Sequence, residues 1–376
     1  MVDLRAQYAR MKEEIDGAIM QCIESAQFIN GPEVAGFQKN LEIYLGCKNV
    51  IPCANGTDAL QIAMMALGLT RGDEVIVPSF TYVATAEVIA LLGLKPVLVD
   101  VDPDTFNITA ELIEKAITSK SKAIVPVHLF GQCADMKPII DLASKHNLFI
   151  IEDCAQAIGA AYTFSPGVVK KSGTMGTVGC TSFFPSKNLG CFGDGGALYT
   201  DDFALAERCR MVANHGQSRK YYHDIIGVNS RLDTIQAAIL NVKLKYLDRY
   251  CESRIHAAEL YDKAFAGNDF IKVPKRSTKS THVFHQYTVQ IPANYRDELK
   301  DYLAENGIPS MVYYPVPLYK QKAFASPEND AKQFPVTERL CDTVLSLPMH
   351  TEMTEEESLF ISGHVLSFLS KKTQYA

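Results

Sequence analysis

The chain has 376 residues, of which 47% are hydrophobic and 21% charged, the balance of a globular protein with a sizeable core. This length favours a large domain with a smaller one beside it. The net charge of −6 and an isoelectric point near 5.9 argue against nucleic acid and anionic membrane surfaces as partners, because both require a basic footprint.

The sequence also argues against a membrane segment, disulfides and a metal site. No apolar stretch approaches the roughly 20 residues that a membrane-spanning helix needs, and the polar start of the chain has no secretory signal pattern. The ten cysteines include no C-x-x-C pair and occur singly in apolar or helical contexts. Buried thiols in a reducing compartment explain them best. We therefore expect a cytoplasmic protein without a metal ion.

The first 200 residues alternate between helical and strand-like segments. Two helices within residues 1–50 flank a turn at "INGPE". The next predicted helices read "TDALQIAMMALGL", "TAEVIALLG", "TAELIEKAI" and "MKPIIDLASKH". The predicted strands read "EVIVP", "PVLVDVD", "KAIVPVH", "LFIIEDCA", "TVGCTSFF" and "GGALYT". Short apolar runs separated by helices are typical of strands buried on both faces, so the pattern predicts an α/β domain with a largely parallel sheet.

The C-terminal part has a different pattern. After the helix "FALAERCRMVANH" and the loop "GQSRKYYHDIIGVNS", one long helical stretch is predicted from about Leu232 to Ala266. Strand-like and helical segments, among them "VFHQYTVQI" and "RDELKDYLAENG", then alternate as in a smaller α+β domain. We predict a large α/β domain over residues 1–250, which includes the N-terminal helical segment, and a small domain over residues 251–376.

The stretch "CANGTDAL" is the first candidate for ligand binding. Its residues Asn55, Gly56 and Thr57 open a helix, where free amides and the positive end of the helix dipole attract phosphate. Gly56 permits close approach of a ligand to the backbone, and Thr57 offers a hydroxyl. An ordinary capped helix would have the same pattern.

A second candidate is "IIEDCAQAIGA", in which Glu152 and Asp153 end an apolar strand. Ligand sites in open α/β sheets lie beyond the carboxyl ends of strands. Since side chains alternate along a strand, the two acids point to opposite faces, and one of them could face a cavity. A carboxylate there needs a positive partner, such as a protonated pyridine nitrogen. A structural carboxylate is the alternative.

The third candidate is Lys187, which follows the strand-like run from Val178 to Phe184 and precedes a glycine-rich loop. A lysine removed from water loses proton affinity and becomes a competent amine nucleophile. The glycines permit close approach of the backbone to a ligand and unusual dihedral angles. A surface lysine and a phosphate-binding lysine are alternatives, but neither a P-loop nor the dinucleotide-binding glycine pattern is present.

Together, the three candidates match one requirement. Pyridoxal phosphate needs a phosphate cup, an acid that keeps its ring nitrogen protonated, and a lysine that forms a Schiff base with its aldehyde. The chain provides all three, in this order, on a predicted α/β sheet.

The sequence then resembles a known family, the DegT/StrS-type sugar aminotransferases of fold type I. The matching stretches include "ANGTDAL", "GDEVIVPSFTYVATA", "PVHLFGQCADM", "EDCAQAIGA", "SFFPSKNLG", "GDGGAL", "GVNSRLDTIQAAIL" and "YYPVPLY". They extend in the right order from residue 3 to about residue 350. The resemblance implies a large domain with a mostly parallel, mixed sheet flanked by helices, and a smaller α+β C-terminal domain.

The resemblance also implies roles for individual residues. Lys187 is the catalytic lysine. The implied cofactor ligands are Gly56, Thr57 and Ser182 at the phosphate, Tyr82 against the pyridine ring, Asp153 at the ring nitrogen, Gln156 near the ring hydroxyl, and Asn229, which reaches the phosphate in the neighbouring subunit. The role of Asn229 implies a homodimer with composite active sites. Tyr313, Tyr314 and His215 are expected near the substrate, and no histidine has the spacing of a metal ligand.

The implied reaction is a two-stage transamination. Glutamate is the expected amino donor and converts the cofactor to pyridoxamine phosphate, and a nucleotide-linked keto sugar then takes the amine. Relatives that are dehydratases carry histidine at the lysine position, so Lys187 favours transamination. Alternatives are a 4-keto-6-deoxy sugar substrate and a regulatory protein that binds the cofactor without turnover.

The stretch from "NHGQ" to "AAIL" is most similar to the branch that aminates UDP-2-acetamido-2-deoxy-3-oxo-glucuronate for bacterial surface polysaccharides such as the O-antigen of lipopolysaccharide. Arg231 could bind the uronate carboxylate through two hydrogen bonds, or could form a structural salt bridge. Relatives in this branch often carry histidine where this chain has Tyr313. Because tyrosine cannot become cationic, this difference leaves the identity of the sugar open.

Overall fold

The computed structural model describes residues 1–325 and 333–373. The helices are α1 Leu4–Ser25, α2 Pro32–Leu45, α3 Gly56–Ala66, α4 Ala84–Leu91, α5 Ala110–Glu114, α6 Met136–His146, α7 Phe203–Ala213, α8 Thr234–Leu244, α9 Leu247–Phe265, α10 Ala293–Glu305, α11 Pro335–Thr343 and α12 Glu355–Thr373. The strands are β1 Asn49–Cys53, β2 Glu74–Pro78, β3 Lys95–Val99, β4 Ser121–Ile124, β5 Phe149–Asp153, β6 Ala161–Ser165, β7 Val168–Lys171, β8 Val178–Ser182, β9 Gly196–Thr200, β10 Gln217–Arg219, β11 Tyr222–His223, β12 Tyr287–Gln290 and β13 Val344–Leu347.

A seven-stranded sheet in the order β1-β9-β8-β5-β4-β2-β3 forms the centre of the fold. Strands β8, β5, β4, β2 and β3 pair in parallel, and β9 is antiparallel to both of its neighbours, β1 and β8. The prediction of a mixed, mostly parallel sheet is confirmed. The carboxyl ends of the parallel strands therefore meet at one edge, where ligands of open α/β sheets bind.

Both faces of this sheet are buried. Along β2, Val75 and Val77 belong to one hydrophobic core, and Ile76 belongs to the core on the opposite face. Strand β5 has the same arrangement, with Ile150 on one side and Ile151 on the other. Helices cover both faces, which explains why the strands are uniformly apolar rather than alternating.

A third hydrophobic core lies in the C-terminal part, where β12 pairs with β13 in antiparallel fashion. Residues from α9, α10 and α12 pack around this two-stranded sheet. The Asp100 carboxylate, after β3, accepts hydrogen bonds of 2.9 Å from the Val336 and Thr337 amides and so holds the start of α11 against the large sheet. The domain division at residue 250 stays a prediction.

Two local features differ from the predicted elements. The helical stretch predicted from Leu232 to Ala266 is two helices, because α8 ends at Leu244 and α9 begins at Leu247. The short hairpins β6–β7 and β10–β11 were not predicted. Within residues 1–325 and 333–373, no helix is long and apolar enough to cross a membrane.

Candidate active site

A cavity of about 600 Å³ opens at the carboxyl edge of the large sheet. Its walls come from the segments that follow β1, β2, β4, β5 and β8, and from the chain before β12 and near residue 313. The residues with polar groups or rings that line it are Asn55, Gly56, Thr57, Asp58, Thr81, Tyr82, Phe130, Asp153, Gln156, Ser182, Phe184, Ser186, Lys187, Asp194, His285, Gln286, Tyr313 and Tyr314. Its size is typical of a site for a small molecule.

The side chains of the two acids at the end of β5 point to opposite faces of the sheet, as the strand periodicity predicts. Asp153 lines the cavity, whereas Glu152 is fully buried on the other side of the strand. Glu152 accepts hydrogen bonds from the amides of Gly173 and Met175, at 2.8 and 2.7 Å, and contacts the His128 ring at 2.9 Å. Its negative charge is thus stabilised by several donors.

The cluster of His128, Glu152 and Cys154 has the composition of a metal site, but its atoms already make hydrogen bonds within the protein. His128 Nδ1 accepts from the Ala134 amide at 3.2 Å, so Nε2 carries the proton and donates to Glu152. The Cys154 thiol donates to the Glu152 carbonyl at 3.6 Å. This cluster supports β5 from behind the cavity.

Asp153 is held in place from two sides. The Ala155 amide donates to one carboxylate oxygen at 3.1 Å, and the Thr85 hydroxyl donates to the other at 2.8 Å. Thr85 was not predicted as a site residue. The sequence contains it within "FTYVATA", but no spacing rule relates that stretch to a strand end 68 residues later.

Strand β8 ends at Ser182 and is thus two residues shorter than the predicted run to Phe184. Lys187 lies in the turn that follows this strand. Its amide donates to the Phe184 carbonyl at 2.9 Å, and its partly buried side chain lines the cavity. Burial lowers the pKa of Lys187 to about 8, although the charge of Asp153 opposes this shift. A substantial fraction of the amine is therefore unprotonated near neutral pH.

Two of the glycines after Lys187, Gly190 and Gly196, lie too close to other backbone atoms to carry a side chain. A Cβ at Gly190 would overlap the Pro185 carbonyl oxygen, and a Cβ at Gly196 would overlap the Asn55 backbone. Neither glycine has a positive φ, so unusual dihedral angles do not explain them, and the close contacts are with the protein's own backbone. Close approach of these glycines to a ligand stays a prediction.

The start of α3 forms the end of the cavity next to β8. Asn55 caps this helix by accepting a hydrogen bond from the Asp58 amide at 2.8 Å. Gly56 faces Ser182, since a Cβ at Gly56 would lie 2.7 Å from the Ser182 Cβ. Gly56, Thr57 and Ser182, which were predicted to act together, are therefore neighbours at a helix N-terminus that favours an anion.

Aromatic side chains form the opposite wall. Tyr82 is 59% exposed and lies 6.4 Å from Tyr314 between ring centroids. Gln156 donates to the Tyr314 hydroxyl at 3.1 Å and accepts from the Phe130 amide at 2.8 Å. Burial raises the pKa of Tyr314, which stays a neutral phenol.

Three predicted residues do not line the cavity of their own chain. Asn229 and Arg231 follow the β10–β11 hairpin, and Asn229 pairs in a β-bridge with Asn214. His215 lines a separate small pocket with His223 and residues 224–227. Their roles stay predictions.

His285 is a further residue of this cavity for which no role was predicted. Its side chain is buried, and its Nδ1 has no hydrogen-bond partner among the described residues. Burial lowers the pKa of His285 well below its usual value, and the charge of Lys187 adds to this effect. The stretch "VFHQY" has no sequence signal that distinguishes its histidine from a core histidine.

The donors around the cavity fit a phosphorylated pyridine aldehyde. A helix N-terminus with adjacent hydroxyls suits the phosphate, Asp153 suits a protonated ring nitrogen, and Lys187 offers the amine for the aldehyde. The hydroxyl of Thr81 is a further polar group at this cavity, and it is buried without a partner among the described residues. Such a group is expected where a ligand supplies the missing hydrogen bond.

Comparisons with known proteins give a consistent result. The model of the DegT/DnrJ/EryC1/StrS aminotransferase family matches residues 9–365. A relative from Pseudomonas aeruginosa, UDP-2-acetamido-2-deoxy-3-oxo-D-glucuronate aminotransferase, is 48% identical over 353 residues, or 93% of this chain and 94% of its own. A UDP-N-acetyl-3-dehydro-alpha-D-glucosamine 3-aminotransferase from Acidithiobacillus ferrooxidans is 45% identical, over 95% and 94% of the two chains. A "pleiotropic regulatory protein" from Geobacillus stearothermophilus is 46% identical over 98% of each chain.

Solved structures agree with these relatives. An aminotransferase from Brucella abortus superposes with a TM-score of 0.92 and is 43% identical, over 98% of each chain. NtdA from Bacillus subtilis, with bound cofactor PMP, has a TM-score of 0.88 and 32% identity, over 96% of this chain and 82% of its own.

Proposed function

Because this chain belongs to the DegT/DnrJ/EryC1/StrS aminotransferase family and is a transaminase that uses pyridoxal phosphate, we propose that it aminates the 3-keto carbon of a UDP-linked sugar, with glutamate as the amino donor. The observation that carries this proposal is that Lys187, with a pKa lowered to about 8, and Asp153 line the same cavity. The 4-keto-6-deoxy alternative is not favoured, because the relatives at 45–48% identity named above as sugar aminotransferases act on 3-keto sugars.

When bound, the cofactor supplies an electron sink for the carbanion that forms during transamination. The amides of Gly56 and Thr57, with the Ser182 hydroxyl, bind its phosphate at the start of α3. Asp153 holds the proton of the ring nitrogen, and Tyr82 covers one face of the ring. These assignments are supported by the shared cavity and by the order of the motifs.

Lys187 has two roles in the proposal. Its amine would hold the cofactor through the aldehyde carbon, and once displaced by the amino donor it would take up the proton from the α-carbon of that donor. Both roles need an amine that can lose and regain a proton near neutral pH, which a pKa of about 8 permits. Tyr314 and Gln156, linked by a hydrogen bond of 3.1 Å, hold the wall against which the substrate lies.

The sugar is proposed to be the 3-oxo-glucuronate derivative, with Arg231 binding its carboxylate. The P. aeruginosa relative, named for this substrate, supports the assignment. A second candidate is the uncharged 3-dehydro-glucosamine derivative, after the name of the A. ferrooxidans relative. Tyr313 favours the second candidate, since burial raises its pKa and it presents no positive charge to a carboxylate.

A homodimer with composite sites is part of the proposal. Asn229 is exposed and would reach the cofactor phosphate of the partner subunit. Tyr221 in the adjoining hairpin and Ile226 in the loop after it are 79% and 85% exposed, and large apolar side chains of this kind mark interaction surfaces. We further propose that the protein acts in the cytoplasm, in the synthesis of a bacterial surface polysaccharide.

The experiment begins with the purified protein, pyridoxal phosphate and glutamate. A catalyst loses its visible cofactor band on addition of glutamate, whereas a band that persists would favour a protein that binds the cofactor only to regulate. The two UDP-linked 3-keto sugars are then supplied, and the amine products are identified by mass.

The variant Arg231→Ala separates the two sugars. It is expected to abolish turnover of the acidic sugar and to spare the neutral one. An equal loss with both sugars would contradict the carboxylate role of Arg231.

A further inference from the structure

The two donors that bind the Asp153 carboxylate come from different parts of the chain. The Ala155 amide, which donates at 3.1 Å, comes from the same turn of the chain. The Thr85 hydroxyl, which donates at 2.8 Å, comes from α4, 68 residues earlier. The backbone of Asp153 is held independently, since its amide donates to Pro126 at 2.9 Å and its carbonyl accepts from the His128 amide at 3.0 Å. Thr85 is therefore not needed to keep the strand end in place.

Thr85 is well suited to act on the carboxylate. It is 1% exposed and lies in the first turn of α4, where the positive end of the helix dipole favours a nearby negative charge. An ionised carboxylate only accepts hydrogen bonds, so the threonine hydroxyl must be the donor. The Thr85 amide also donates to the Tyr82 carbonyl at 3.4 Å. Thr85 thus joins the segment that carries Tyr82 to Asp153.

We propose that Thr85 is a positioning residue that keeps the Asp153 carboxylate turned toward the ring nitrogen of the cofactor. The inference rests on the proposed function, because it assumes the role of Asp153. A hydrogen bond to a charged acceptor is stronger than a hydrogen bond between two neutral groups. Its loss leaves the Asp153 carboxylate free to turn away from the ring nitrogen and weakens its hold on the ring proton. A ring without this proton would withdraw fewer electrons, and the nitrogen that would join the cofactor to Lys187 would be more basic.

The test compares reconstituted holoenzymes of Thr85→Val, Thr85→Ser and a matched control, Thr200→Val. Thr200 is 5% exposed and its hydroxyl also donates at 2.8 Å, but to the Thr177 carbonyl at the opposite end of β9 from the cavity. Two quantities are measured: the dissociation constant of pyridoxal phosphate by equilibrium dialysis, and the midpoint of the pH titration of the visible band.

For Thr85→Val we expect a dissociation constant raised about tenfold and a midpoint at higher pH, as follows from the loss of a hydrogen bond to a charged group. Thr85→Ser keeps the hydroxyl and is expected to resemble the wild type, as is Thr200→Val. If Thr85→Val does not fold, Thr85→Ala carries the same expectations.

An unchanged midpoint in the Thr85 variant without a hydroxyl overturns the inference, whatever happens to the dissociation constant, because the hydroxyl then serves folding alone. A wild-type protein that shows no visible band with pyridoxal phosphate would instead refute the proposed function. The two failures are therefore distinguishable.

Discussion

The lowered pKa of Lys187 predicts how fast the apoenzyme captures its cofactor at each pH. Only the unprotonated amine attacks the aldehyde. With a pKa of about 8, roughly one amine in ten is free at pH 7, whereas the ordinary value of 10.5 would leave about one in 3,000 free. Burial of Lys187 therefore raises the unprotonated fraction of its amine about 300-fold at pH 7.

The assay is a stopped-flow measurement of the visible band after mixing apoenzyme with pyridoxal phosphate, from pH 6 to pH 10 at constant ionic strength. The rate is expected to rise about tenfold per pH unit below pH 8 and to level off above it. A free alkylamine under the same conditions is the control, because it should continue to rise toward its own, higher pKa. A Lys187 reaction that follows the control curve would refute the assignment of a desolvated amine.

Three further predictions concern stability and binding. Lys187→Met should raise the melting temperature of the apoenzyme at pH 7. The pKa of Lys187 is lower in the folded state than in the unfolded state, so the unfolded state binds more protons between about pH 8 and pH 10.5. The stability of the wild type therefore rises with pH across that window. Above it, the advantage of the variant should vanish. Gly190→Ala should lower the free energy of unfolding in a urea titration by about 1–3 kcal/mol. The control is Gly17→Ala, where a Cβ meets nothing within 4 Å and no loss is expected. Equal losses would contradict the claim that Gly190 has no room for a side chain. Tyr314→Phe removes the acceptor for Gln156 and should raise the KM for the sugar more than it lowers kcat; an unchanged KM would exclude a positioning role.

Periodicity was sufficient to predict the parts of the fold that depend on local pattern. The apolar runs predicted strands buried on both faces, and Val75, Ile76 and Val77 do alternate between two cores. The same rule separated Asp153 from Glu152, although it could not say which acid faces the cavity. That choice depends on His128 and the amides after β7, which gather around Glu152 only in the folded chain.

The missed features share one cause. Thr85 and His285 acquire their positions through contacts between distant segments, and nothing in their immediate neighbours distinguishes them from core residues. The break between α8 and α9 falls in a stretch of good helix formers, so local propensity does not reveal it. Asn229, Arg231 and His215 do not line the cavity of their own chain, so their predicted roles stay predictions.

The cavity wall draws on residues from Asn55 to Tyr314. A ribosome therefore has to release more than four-fifths of the polypeptide before the last part of that wall can fold against the rest. The complete binding site for the cofactor therefore forms only after most of the chain has been synthesised.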